Sequence, residues 1–551
     1  MFLARTVRDD HKGERGGAML VAIGMTAVAG IIAITITSSS LYAVGYTTST
    51  RSGVQAQAAA EAGIDFAAAN LATAVCQAQY GPTLIEPKFI VGVSYSLLTA
   101  SATGDNDTSW QSGCPTLAAK RVKLVSLGTA TILGLAGNSS GDRRKVEAVY
   151  PYAPTQPGTG AAIYSFAQTD TTVNNLTIRA TAGTPATMQY LSGSMNCTSG
   201  SVVEGSVILG LGGASLSSGC QINGDLFVSG SVDLQNSTVR GNVTADSGTY
   251  PSVSLSNSAT VLGSLYAGGP VKMQGATGGD IIAGPGMGTS NISGTAGGSV
   301  IVSGNVNYTG PLRSPTNITV GQTGMIAPII PVVPGWLDYP FAPADQTRWT
   351  NLGYTELALT DCSAVPFRAA MNTVLTSTAP RVLNALGCGA GGLDFSLLTS
   401  PSSRDITLKS NLVIVANAFK FSQNNLDSSD GTDKNLWLII PDRGLGGNPL
   451  DPPNRAPDCP LGSVFKMTNN VTVGSHVNAL IYSPCTITNA ADVWQGQIYA
   501  RGSQTANAFR LNYVPIGIPG YDFNTGLPID PSAPTTGVLG ARTALRNIGV
   551  V

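Results

Sequence analysis

The chain has 551 residues, more than one compact core holds, so roughly two to four domains are expected. Only 11% of its residues are charged, against roughly 25% in ordinary soluble domains, and the net charge is -1; with no basic stripe to neutralise phosphates, no nucleic-acid partner is expected. Gly numbers 66 and His only 2 (His11 and His476), which points to an exterior of neutral hydrogen-bonding side chains and tight turns and excludes a histidine-based metal centre or triad.

The first element is a helix. Arg5, Arg8, Lys12 and Arg15 make a basic leader, which holds that end on the cytoplasmic side of a membrane. From Ala18 to Ile36 the chain is apolar apart from Thr26 and Thr35, and a helix of about 20 such residues spans a bilayer. A secretory signal peptide would have a shorter apolar core and then a break at a small-x-small cleavage site. Here the pattern runs on from Ser38 to Val75 without proline and rich in alanine. Leu41, Val44, Val54, Ala58, Ile64, Ala68, Leu71 and Val75 recur at helical spacing and predict one apolar stripe. Together these signals predict one helix of about 55 to 60 residues, within 18–78. Glu61, the lone charge between Arg51 and Asp65, is expected on its exposed side.

Three features, "ERGGAMLV" at the leader junction, the long apolar helix and "QAQAAAEAG" at Gln55 to Gly63, resemble the start of type IV pilins and the pseudopilins of type II secretion. The likeness covers about the first 80 residues. It implies that residues 1–17 are a leader cut by a prepilin peptidase after Gly16 or Gly17, leaving Gly17 or Ala18 as a methylated N-terminus. It also implies a helix held in the membrane before assembly and in the filament core afterwards, with other pilins and the filament assembly machinery as partners. Residues 79–160 would form a small α+β region, the helix packed on an antiparallel sheet, with Cys76 and Cys114 tying the two together. Major pilins carry Glu at the fifth mature position; here it is Val21 or Ala22, which places the resemblance with the minor, tip-type members. A subunit that makes no ion pair with a neighbour's amine has no need of a costly buried carboxylate.

Residues 161–324 read as a β-solenoid, right-handed or irregular. "GSVILG", "GDLFVSG", "GNVTADSG", "GSLYAGG", "GDIIAG" and "GSVIVSG" begin at Gly205, Gly224, Gly241, Gly263, Gly279 and Gly298, in steps of 19, 17, 22, 16 and 19 residues. Val207, Leu226, Val243, Leu265, Ile281 and Val300 are expected to stack in an inward column. A β-sandwich is the alternative. The proline-dense stretch 325–345 is expected as an extended connector laid on the body. Residues 346–551 then form a second mainly β region, with a short helix in Val365 to Leu386, so the fold class is α+β.

The eight cysteines fall into sequential couples without metal-type spacing, which in an exported chain predicts Cys76–Cys114, Cys197–Cys220, Cys362–Cys388 and Cys459–Cys485. Solenoids also host glycan-cleaving enzymes, which need clustered carboxylates. The acids of 161–324 are Asp170, Glu204, Asp225, Asp233, Asp246 and Asp280; Asp225 and Asp280 follow repeat glycines and read as turn residues. Asp442 to Asp458 reads as an exposed recognition or calcium-binding loop, without the usual calcium-loop spacing. His476 has no cysteine or serine partner by any motif. No catalytic, cofactor or metal residue is assigned, and no enzyme is expected. The expectation is a minor pilin-like structural subunit of a type IV pilus or related secretion filament. It would be single-pass in the membrane before assembly and then at the cell surface, presenting its β body for assembly priming or for adhesion to a glycan, host or abiotic surface. The alternatives are a membrane-anchored β-solenoid adhesin and an extracellular polysaccharide-cleaving β-helix enzyme.

Overall fold

The computed structural model describes residues 15–73, 76–83, 87–99, 109–116, 118–131, 143–154, 158–168, 172–181, 183–286, 288–309, 318–320, 329–398, 405–444, 453–468, 471–489, 491–505, 508–530 and 537–548. Leader residues 1–14, Val75, Asp170, connector residues 325–328 and loop residues 445–452 lie outside them. The chain divides into two compact units, Met1–Gln156 with Asp530–Val551, and Pro157–Ile529.

In the first unit, α1 (Arg15–Thr73) is one 59-residue helix. Gly17–Ala72 is long and apolar enough to cross a membrane. Its first part leaves Met19, Leu20, Ile23, Ile31 and Ile34 exposed. The hydroxyls of Thr26, Thr35 and Thr47 donate to the carbonyls of Ala22, Ile31 and Ala43, so these polar groups are satisfied within the helix. Its second part lies on an antiparallel sheet of Lys88–Ser96, Arg121–Thr129 and Arg143–Pro154. The buried stripe is Ser52, Ala56, Ala59, Ala60, Ile64, Ala67 and Leu71. It differs from the stripe expected on sequence, for Val54 and Ala58 are exposed. The reason is close approach. Gly128 faces the helix where a Cβ would overlap the Ala56 carbonyl and the Ala60 amide, so only small residues fit opposite it. Glu61 is exposed and accepts a hydrogen bond from the Gln57 amide at 3.0 Å.

The same sheet takes two strands from the far end of the chain, Gly537–Leu539 and Ala544–Ile548, both antiparallel to Arg143–Pro154. The span 346–551 is therefore divided: its last residues belong with the helix, and the rest to the second unit.

The second unit is a parallel β-solenoid, with three short strands per turn in the coils from Met195 to Val302. Parallel coil-to-coil ladders rule out the sandwich. Val207, Leu226, Val243, Leu265, Ile281 and Val300 pair in register and are fully buried. One coil cannot bury its own apolar side, and stacking supplies the neighbour.

This column does not start at the first coil. Ile163 pairs with Ile498, and from there the ladder continues through Ile481, Leu438, Ile414 and Leu383 to Leu357. The chain thus enters the stack at its middle and winds out to Ile318–Val320. It resumes at the opposite end with Thr355–Ala358 and winds back to the middle. Entry and exit meet there, where the Phe523 amide donates to the Gly158 carbonyl at 2.8 Å. Two buried glutamines bridge the seam. Gln168 donates to the Ser503 carbonyl and accepts from the Ser503 amide, and Gln497 donates to the Ala161 carbonyl at 2.9 Å.

The proline-rich segment is the return path. Its described part lies on the flank against stacked Tyr164, Tyr499 and Tyr482, with Tyr164 and Tyr499 4.2 Å apart at 7°. The Leu337 amide donates to the Tyr499 hydroxyl (2.8 Å) and the Tyr339 amide to the Tyr482 hydroxyl (3.0 Å), while Tyr164 donates to the Pro334 carbonyl (2.9 Å). Proline removes donors, and the tyrosines satisfy what remains. The short helix expected near residue 370 is present as α2 (Ala364–Thr376), which buries Phe367, Met371 and Val374 in the solenoid core near the Arg381–Asn384 end.

Candidate binding groove

Each coil's repeat glycine precedes a polar residue: Ser206, Asp225, Asn242, Ser264 and Asp280. Each side-chain oxygen accepts the backbone N–H of the equivalent residue one coil on: Ser206 from Asp225, Asp225 from Asn242, Asn242 from Ser264, Ser264 from Asp280, and Asp280 from Ser299, at 2.7 to 3.1 Å. Asp225 and Asp280 are thus links in a spine that pairs turn amides. Glu204 similarly accepts from the Ala180 amide at 2.9 Å.

The face that opens each coil, one short strand ahead of that corner, is different. Eight parallel strands form it, from Thr172–Asn174 to Asn305–Tyr308. Alternation sends Cys197, Leu216, Leu234, Leu255, Met273 and Ile292 into the core. It sends Asn196, Ser215, Asp233, Ser254, Lys272 and Asn291 outward in one register-matched column. A groove of about 1160 Å³ runs along this face, lined also by Gln168, Ser231, Gln235 and Thr249. Among the described residues its charged lining is one Asp233 and one Lys272, so it carries no net charge. The Asp233 carboxylate accepts from Gln235 at 2.8 Å.

Tyr250 stands over the groove from the loop between Val243–Ala245 and Val253–Ser256. Asn291 donates to its hydroxyl at 3.0 Å. Its ring lies against Gly288 (φ +126°), where an added Cβ would come within 3.1 Å of it. The ring is fixed, yet Tyr250 is 44% exposed. Neither the column nor Tyr250 was assigned from sequence, because the outward residues fall between the glycine motifs. The available signal was the 22-residue step from Gly241 to Gly263, the longest of the five, which holds this loop.

A second cavity, about 590 Å³, is lined by Asp338, Asp442, Asp458, Arg443, Arg455 and Tyr521. Burial pushes the Asp442 carboxyl up to about 7, and the Asp338 and Asp458 charges add to this. Hydrogen bonds from the Trp336 indole N–H (2.6 Å) and the Asp458 amide (3.3 Å) act against it. Burial also raises Asp338. Among the described residues no cluster of acids, histidines or cysteines could hold a metal ion.

Gly16, Gly17 and Ala18 lie in the first turn of α1, with Gly17 and Ala18 exposed. The structure contains the disulfides Cys76–Cys114, Cys197–Cys220, Cys362–Cys388 and Cys459–Cys485, with Cα–Cα separations of 4.8 to 5.8 Å. His476 faces Asp433 at 3.2 Å on the surface.

No protein-family model matches the chain, and no curated protein matches it. Among solved structures it is similar to the crystal structure of the competence-associated pilin ComZ from Thermus thermophilus, at 12% identity over 90% of this chain and 97% of that one, with a TM-score of 0.24. A superposition of that degree assigns no family.

Proposed function

We propose that this chain is a pilin-like subunit of a type IV pilus or related secretion filament, of the minor, tip-type kind, and that its solenoid is the part presented outside the cell. The observation that carries this reading is α1. One unbroken helix has a membrane-length apolar part left unpacked by its own unit and a second part fixed to a sheet by a small-residue stripe. A plain anchor has no need of that continuity, whereas a segment that leaves the bilayer to pack among other helices does. The leader is removed at Gly16–Gly17 by the prepilin peptidase, and the apolar segment is retained. Val21 or Ala22 at the fifth mature position, and a body of several hundred residues, favour rare or terminal placement over repetition along a shaft. The groove is read as a surface that binds: Asp233 is the one carboxylate lining it among the described residues, and hydrolysis of a glycosidic bond takes a pair.

The test is mass spectrometry of the mature N-terminus, with and without the prepilin peptidase. A start at Gly17 or Ala18 that depends on the peptidase supports the reading. A start beyond Ser38 overturns it, as does an intact leader in both strains.

A further inference from the structure

We infer that the groove over the Asn196–Lys272 part of this column is a binding site for an extended, uncharged polysaccharide of the β-1,4-linked hexopyranose class. The inference deepens the presenting role proposed above and rests on it for access to the ligand.

The lining determines the chemistry. Serine and threonine hydroxyls, with the amides of Asn196 and Gln235, dominate the groove, while the Gln168 amide is taken up by the Ser503 backbone. That mixed set suits a ligand whose own groups are hydroxyls. One carboxylate and one ammonium cancel, so a polyanion gains nothing from the site and a polycation gains nothing either. A peptide adding itself as a strand needs a free sheet edge, and here every coil between the first and last is paired on both sides. Among the described residues, Tyr250 is the one large hydrophobic side chain exposed in the lining, which leaves little for a helix or an anchor residue to bury against.

The spacing determines the shape. Strands stack about 4.8 Å apart, so the register-matched column that lines the groove, from Asn196 to Lys272, runs roughly 19 Å, several sugar rings long. A β-1,4-linked chain is a flat ribbon that can follow such a column; an α-1,4-linked chain coils away from it. Tyr250 supplies the remaining element. It is an aromatic ring fixed by Asn291 and Gly288 at the groove wall with much of its surface open, and the apolar C–H face of a pyranose stacks on such a ring. Its position is set before any ligand arrives, which lowers the ordering cost of binding.

The experiment uses the full chain, solubilised in a zwitterionic detergent without a sugar headgroup. Retention is measured on insoluble cellulose, chitin and β-mannan, with amylose and alginate as contrasting arms. Retention on at least one of the three β-1,4-linked glycans is expected, with neither amylose nor alginate held. Tyr250→Ala removes the ring and Ser254→Trp fills the groove floor; each should weaken binding at least 10-fold while the thermal midpoint stays within a few degrees. A Ser254→Trp chain that keeps its midpoint and loses binding supports the site even where Tyr250→Ala unfolds the loop. The inference is overturned by no retention on any β-1,4-linked glycan, by preference for amylose or alginate, by binding that both variants leave intact, or by displacement with unrelated peptides at the concentration that displaces sugar. Processing at Gly16–Gly17 is scored on the same preparation. A processed chain that does not bind sinks only this inference; an unprocessed chain that binds sinks only the filament reading.

Discussion

Asp442→Asn should make the protein more stable, and increasingly so as pH rises. Asp442 is 5% exposed in the wall of the smaller cavity, between the return segment and the coil beneath it. Its carboxyl titrates at about 7, against about 3.9 in an unfolded chain. Between those values the unfolded state has released a proton that the folded state keeps, so folding stability falls as pH rises. The slope is about 1.4 kcal/mol per pH unit, and the loss by pH 8 is on the order of 4 kcal/mol. Asparagine copies the protonated acid in shape and its carbonyl still accepts the Trp336 indole N–H; its NH2 gives up the longer bond from the Asp458 amide, a pH-independent cost, but it never ionises. The variant's advantage should therefore be small near pH 4, grow up to about pH 7, and level off above it. Thermal unfolding followed by indole fluorescence at pH 4 to 8 reads this directly. Asp338 is also raised by burial, so some slope remains in the variant. Parallel pH profiles for the two proteins would refute the reasoning, for they would mean Asp442 is ionised throughout or equally solvated in both states.

Other expectations concern packing and topology. Gly128→Leu should detach α1 from its sheet at a cost of about 3 kcal/mol or more, seen as faster hydrogen exchange over residues 52–71; unchanged protection would show that the close approach is not needed. Tyr499→Phe removes the hydroxyl that pairs the Leu337 amide and should cost about 1 to 2 kcal/mol, measured as a lowered denaturant midpoint; no change would mean that water replaces it. Replacing residues 157–529 with a short glycine–serine linker should leave a first unit that still forms Cys76–Cys114, since the strands on either side of the excision pair with each other. Reduced, unfolded protein would contradict that.

How much of this could be read beforehand depended on the range of each signal. The inward column was legible because a glycine and three alternating residues recur within one coil, and each coil repeats the same local physics. The seam was not legible, because Ile163 and Ile498 are far apart in sequence and their pairing follows from where the chain re-enters the stack. The helix was legible in extent but not in facing: apolarity favoured Val54, and the constraint that mattered was the missing side chain at Gly128, on another element. That the aspartates at repeat corners are turn residues is legible from the glycine before each, yet their role as a hydrogen-bonded spine needs the register between coils. The groove stayed hidden because polar outward residues have no periodic signature of their own, and Tyr250 stood out only through an overlong step.

The mid-stack entry has a mechanical consequence. A chain held at one end of a solenoid is loaded coil by coil from that end, like a zip. Here both covalent tethers arrive beside the Gly158–Phe523 hydrogen bond, next to buried Gln168 and Gln497 and the stacked tyrosines. A pull through the chain therefore enters at the most heavily cross-braced coils and leaves both ends of the stack slack. Detachment under tension would have to begin by breaking that central clasp, so the end coils and the length of the solenoid could change without altering the force it withstands.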